Sequence, residues 1–149
     1  MVESVLFGSG RHVFLVPPSE RRKMEFGRIL VAWKGSREAA RALAEARPYL
    51  GRAQSVSICV VGDKRSEERA LLGSEAVTHL CHHGVDATLH QITKDKRGID
   101  TILISEAKRL EADLVVMGAY GHSRMREYVF GGATHWVLQN ISVPVLMSH

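Results

Sequence analysis

Cysteine is nearly absent: Cys59 and Cys81 are the only two. Two thiols cannot build a disulfide framework, so a reducing cytoplasm is the expected compartment. Long apolar runs are missing as well. No stretch approaches the roughly 18 residues of a membrane span. The opening MVESVLFGSGR has no basic segment ahead of an apolar one, which predicts no secretory signal. Familiar catalytic signatures are also lacking. There is no Walker A sequence, no Gly-x-Gly-x-x-Gly after the first strand of the main unit and no Gly-x-Ser-x-Gly elbow.

The 149 residues are 45% hydrophobic and 24% charged, which suits one globular domain with an appendage. A chain of this length buries about two-thirds of its unfolded surface, so it needs no metal or disulfide staple. The formal net charge is +4. Acids and bases alternate along SEERA and SEAKRLEAD, and the one basic cluster is Arg21-Arg22-Lys23 in a Pro-flanked linker. A nucleic-acid surface concentrates its charge in a stripe with interleaved aromatics, so no nucleic-acid partner is expected.

Five β-type runs stand out: Arg28–Trp33, Gln54–Val61, Asp86–Ile92, Asp113–Gly118 and Val143–Met147. Most are continuous Val/Ile/Leu runs, which suit a parallel sheet covered on both faces. Asp86–Ile92 alternates, which suits an edge. Helical periodicity fills the gaps. Ser36–Leu50 places Ala39, Leu43, Ala46 and Leu50 on one face, and Ser66–His83 places Leu72, Ala76 and Leu80 there. Ile99–Leu110 offers Ile99, Ile102, Leu103 and Leu110, and Met125–Asn140 offers Val129, Ala133, Trp136 and Val137. Pro48 is expected to end or kink its helix, and Gly84 to cap the next one. Strands alternating with helices imply an α/β fold with right-handed crossovers. Ligands of such sheets bind outside the carboxyl ends of the strands, at a topological switch point. The loops to watch are therefore 33–36, 61–64, 93–98 and 118–124.

Residues 1–27 stand apart as an N-terminal extension, and 28–149 form the main domain. The extension holds one more strand, His12–Val16, followed by Pro17-Pro18. GRHVFLVP resembles the chain's own NISVPVLMSH, as if it were the last strand of a preceding homologous domain. A plain leader is the alternative.

The richest segment is GAYGHSRMREYVFGGAT, residues 118–134. Glycines at a strand-to-helix turn let backbone amides approach a phosphate. They also permit close helix–sheet packing, and spacing alone does not choose between the two. The pattern Gly118-x2-Gly121-x9-Gly131 follows VVMG and precedes VPVLM. With ILVAWKGSREAARAL, it resembles the universal stress protein family throughout residues 28–149. That resemblance implies an open parallel sheet of Rossmann-like order 3-2-1-4-5 with helices on both faces, plus the extra N-terminal strand. It implies the second domain of a tandem protein, with a remnant of the first. It further implies a stress-response regulatory module; some members of the family bind ATP, AMP or another adenine nucleotide and others do not, so a dimerisation module that binds no nucleotide is the alternative, and no metal is expected in either.

The carried-over nucleotide positions are Ala32, Trp33, Lys34, Val61, Met117, Gly118, Gly121, His122, Ser123, Arg124, Gly131, Gly132, Ala133 and Thr134. Two of them depart from the family pattern. Gly132 stands where a Ser or Thr is usual, which removes a hydrogen bond of about 0.5–1.5 kcal/mol. Lys34 stands where an Asp helps recognise adenine, and an ammonium accepts no hydrogen bond. These departures predict weak binding. Trp33 is expected to pack on the sheet, with stacking on a flat ring as the alternative.

Other candidates are weaker. His79 and His83 share a helix face near Cys81 and His82, but no further ligand pair lies near them in sequence, so no metal is expected. His122–Ser123 are sequence neighbours, which rarely gives a nucleophile and its base. Asp63 and Asp95 are the acids a slow ATPase would need; a flavodoxin-like carrier is a third reading. The final strand, 143–147, should lie at an apolar sheet edge that needs covering. Strand 12–16 is expected to pair antiparallel with it, within one chain or between two copies of a homodimer. The protein partner is unknown.

Overall fold

The continuous apolar runs become the strands of a single sheet. A computed structural model describes residues 5–6, 8–18, 25–63, 66–119, 140 and 142–149. In chain order the elements are β1 (Val13–Leu15), β2 (Arg28–Ala32), α1 (Arg37–Leu50), β3 (Ser55–Gly62), α2 (Glu67–His82), β4 (Ala87–Thr93), α3 (Ile99–Arg109), β5 (Leu114–Gly118) and β6 (Val145–Ser148). The sheet order is β1-β6-β5-β2-β3-β4. All neighbours run parallel except β1, which lies antiparallel on β6 with Val13 opposite Met147 and Leu15 opposite Val145. Counted from β2, the parallel strands stand in the order 3-2-1-4-5. With β1 added, the sheet is mixed and six-stranded, and the β6 edge is closed rather than open.

Local chemistry sets the helix ends. The Ser36 and Ser66 hydroxyls each accept an amide at 3.2 Å, from Ala39 and Arg69, as N-caps do. Gly84 follows α2 as expected: Val85 N–H bonds Leu80 O at 3.0 Å and Gly84 N–H bonds Cys81 O at 2.9 Å. Pro48 does not end α1. It falls in the last turn, where it removes one intrahelical bond, and the helix runs on to bury Leu50. The fourth expected helix, 125–140, lies outside the described residues except for Asn140.

Two apolar layers sandwich the sheet. Ala42, Leu43 and Ala46 of α1 join Ala76 and Leu80 of α2 against Ile29, Val31, Ile58 and Val116. Leu103 and Ala107 of α3 cover Leu30, Cys59, Val115 and Met147 on the other face. The α3 face differs from its expected pattern: Ile99 is exposed, and Ile104 is buried beside Ile102 and Leu103. Phe14 of β1 stacks on Phe26 at 5.9 Å and meets Tyr49 edge-on at 5.3 Å, which fastens the edge strand to α1. No helix among the described residues is long and apolar enough to cross a membrane.

Candidate functional site

The switch point lies at β2, which has β3 on one side and β5 on the other. Ala32 is in register with Cys59 of β3 and Met117 of β5, and β3 runs on to Gly62 beside Thr93. Side chains alternate across a strand, so neighbouring residues here face opposite ways. Ala32, Val61, Ile92 and Met117 all belong to the α3 face and are only half-buried. Together they make an incompletely covered apolar floor at the carboxyl edge. Ile92 was not foreseen as part of it. Its signal was the register that sets it beside Val61.

Trp33 belongs to the opposite face. Its indole N–H donates to Leu72 O of α2 at 3.1 Å, and its ring packs on the α1–α2 core. That is the packing role, with the polar tip of the ring satisfied. Lys34 is exposed at the loop that follows. Gly35 then adopts φ 69°, where a Cβ would stand 2.5 Å from Leu72 Cδ1. The loop is thus pressed onto α2 at Gly35, which needs both the left-handed backbone and the missing side chain.

Gly118 closes β5 directly under the first turn of α1. A Cβ there would lie 2.5 Å from the Ala39 nitrogen and 2.7 Å from the Glu38 carbonyl carbon. At this glycine, close helix–sheet packing is what the geometry requires. It also delivers the chain to the mouth of the crevice, with Ala119 N–H bonded to Ser148 O at 2.9 Å. Gly121, His122, Ser123, Arg124, Gly131, Gly132, Ala133 and Thr134 lie outside the described residues.

The charges around this edge are specific. Glu38, in the first turn of α1, is buried. A hydrogen bond with its own backbone N–H, helped by Arg37 and Ser36, holds its carboxyl below the usual range against the opposing effect of burial. That helix end therefore already carries an anion. The Arg69 guanidinium lies over Gly62, within 2.5 Å of where a Cβ would stand. Asp95, one of two acids an ATPase would need, is bound by the Arg97 guanidinium at 2.8 Å and by the Arg97 amide at 2.7 Å. Those bonds lower its pKa. Asp63 is exposed. Cys59 is buried in β3, and burial pushes its thiol up to about 12, so it is an inert core residue. Among the described residues, no group of three or more His, Cys, Asp or Glu side chains could hold a metal ion.

Comparison with known proteins agrees with this architecture. Residues 25–149 match the model of the universal stress protein family. A curated relative, a universal stress protein of a Synechocystis strain, is 56% identical over 34 residues, 23% of this chain and 12% of that protein. Among solved structures, a universal stress protein from Archaeoglobus fulgidus superposes with a TM-score of 0.72 at 19% identity, over 92% of this chain and 49% of its own. One from Pseudomonas aeruginosa gives 0.66 at 18% identity, over 99% of this chain and 55% of its own. A universal stress protein solved in complex with cAMP gives 0.68 at 20% identity, over 84% of this chain and 98% of its own. The chain thus spans about half the length of the two former structures and nearly the whole of the third.

Proposed function

Because the chain belongs to the universal stress protein family, we propose that it is a stress-response regulatory module that binds an adenine nucleotide weakly. The observation that carries this reading is the half-buried apolar floor of Ala32, Val61, Ile92 and Met117. It lies where Gly118 begins the Gly-x2-Gly-x9-Gly segment. A purine is flat and largely apolar on its faces, and such a floor suits it. The cAMP complex of a similarly folded protein supports that ligand class.

In this reading the base lies on the floor. Gly121, His122, Ser123 and Arg124, with Gly131 to Thr134, take the ribose and phosphates. Lys34 accepts no bond from an adenine amino group, and Gly132 offers no hydroxyl, so affinity is low. Asp95 is committed to Arg97, which favours binding over hydrolysis. Nucleotide binding shifts the population of the loop after Gly118 and so alters a partner surface. The working compartment is the cytoplasm.

The same reading takes residues 1–27 as the remnant of a preceding domain and 28–149 as the second domain of a tandem protein. The two longer structures, which overlap 92% and 99% of this chain at about half their own length, support it. Within one chain β1 already pairs with β6; a homodimer on strands 12–16 and 143–147 then forms by exchange of β1 between two copies. The test of the nucleotide reading is thermal denaturation with millimolar ATP, AMP or cAMP, on the wild type and on Gly121→Val. A ligand that binds only the native state raises its melting temperature. The wild type should respond and the variant should not. If the wild type ignores all three nucleotides, the β1–β6 seat favours a dimerisation module without a nucleotide.

A further inference from the structure

The last turn of α2 carries His79, and His83, four residues on, is the helix's C-cap; both are exposed, with ring centroids 4.6 Å apart and planes tilted by 46°. Residues at this spacing share one helix face. Their arrangement is more than proximity. His83 Nδ1 lies 2.8 Å from the His79 carbonyl oxygen. A carbonyl only accepts, so Nδ1 must carry the proton, and the Nε2 lone pair of His83 is left free. An imidazole that donates one N–H to a carbonyl and offers the other nitrogen is the usual state of a metal-ligating histidine.

We propose that His79 and His83 form an exchangeable chelate for a borderline divalent metal such as Ni2+, Zn2+ or Cu2+. Imidazole suits these ions, whereas Mg2+ and Ca2+ prefer oxygen. Two protein ligands leave the remaining positions to water, which fits reversible capture rather than a structural or catalytic metal. The place also favours a cation. It is the carboxyl end of a helix, where the dipole is negative. α2 begins over Gly62 at the carboxyl edge of the sheet and ends at the opposite edge. The chelate is therefore separate from the nucleotide site and does not depend on it.

The test is calorimetric titration of the untagged full chain with Ni2+ in a non-chelating buffer. His79→Gln, His83→Gln and, as a control on β4, His90→Gln are titrated alongside, each checked for native circular dichroism. One equivalent should bind to the wild type and to His90→Gln, and either α2 variant should bind at least tenfold more weakly. Both α2 variants replace exposed side chains, so folding should survive. The proposal is overturned if the wild type binds no Ni2+, or if affinity is unchanged in both α2 variants.

Discussion

The carboxylate of Glu45 accepts the hydroxyl of the fully buried Ser148 at 2.9 Å and so ties α1 to the last strand. The same carboxylate takes His12 Nδ1 at 3.3 Å and Arg41 Nε at 3.2 Å. Arg41 in turn donates to the His149 carbonyl at 2.9 Å and to the Gly10 carbonyl. One helix face thereby fastens Gly10 and His12, just ahead of β1, and the end of β6. With the Phe14–Phe26–Tyr49 cluster, these contacts hold a three-residue strand that would be marginal alone.

Glu45→Ala should loosen β1 ahead of the rest of the sheet. It leaves the Ser148 hydroxyl buried without a partner, which costs about 1–3 kcal/mol. Hydrogen exchange should speed up at 13–15 and 145–148 while the amides of β2 stay protected. Uniform protection across both regions would contradict the latch.

Gly118→Ala should destabilise the fold by about 1–3 kcal/mol, the usual cost of overpacking. The added methyl meets the backbone of Glu38 and Ala39, which cannot rotate away as a side chain could. Urea denaturation reads the loss. An unchanged midpoint would mean that α1 does not rest on β5 as described.

The sequence made the layered fold legible because its signals there are redundant. Apolar runs, serine caps at Ser36 and Ser66 and a glycine after α2 all pointed one way. The extra strand was legible as the apolar run 12–16 and through the likeness of GRHVFLVP to the chain's end. Pro48 does not end α1 because a proline in a final turn loses one bond, while Leu50 beyond it gains full burial. Ile99 misled because the face of α3 turned toward Ile104. The floor was half legible. Ala32, Val61 and Met117 came from the family resemblance, but Ile92 needed the β3–β4 register, which no local pattern encodes. The burial of Glu38 and the reach of Arg69 over Gly62 are set by how α1 and α2 sit on the sheet, so they too were invisible.

Glu111→Gly should stabilise the protein. Glu111 follows α3 at φ 50°, in the left-handed region, where it helps close the helix with Ala112 N–H bonded to Ala107 O at 2.8 Å. That backbone costs an L-residue about 1–2 kcal/mol. The ion pair given up, with Arg28 at 2.5 Å, is between exposed groups and contributes at most about 1 kcal/mol. The denaturation midpoint should rise. A fall would mean that the ion pair outweighs the backbone strain.

The two cysteines should label at very different rates. Cys81 is exposed on α2, whereas Cys59 is buried with its thiol pushed up to about 12. Near neutral pH, iodoacetamide should modify Cys81 alone, and Cys59 only after denaturation. Mass mapping of the alkylated peptides checks this. Prompt modification of Cys59 in the native protein would contradict the packing of β3.

The most direct test of the nucleotide reading is the melting temperature of the purified chain against ATP, AMP and cAMP from micromolar to millimolar concentration. Weak binding at the apolar floor predicts a rise that appears only toward millimolar ligand, since stabilisation grows as the logarithm of ligand over Kd. The rise should vanish in Gly121→Val. A flat curve for all three nucleotides up to millimolar concentration would contradict the account.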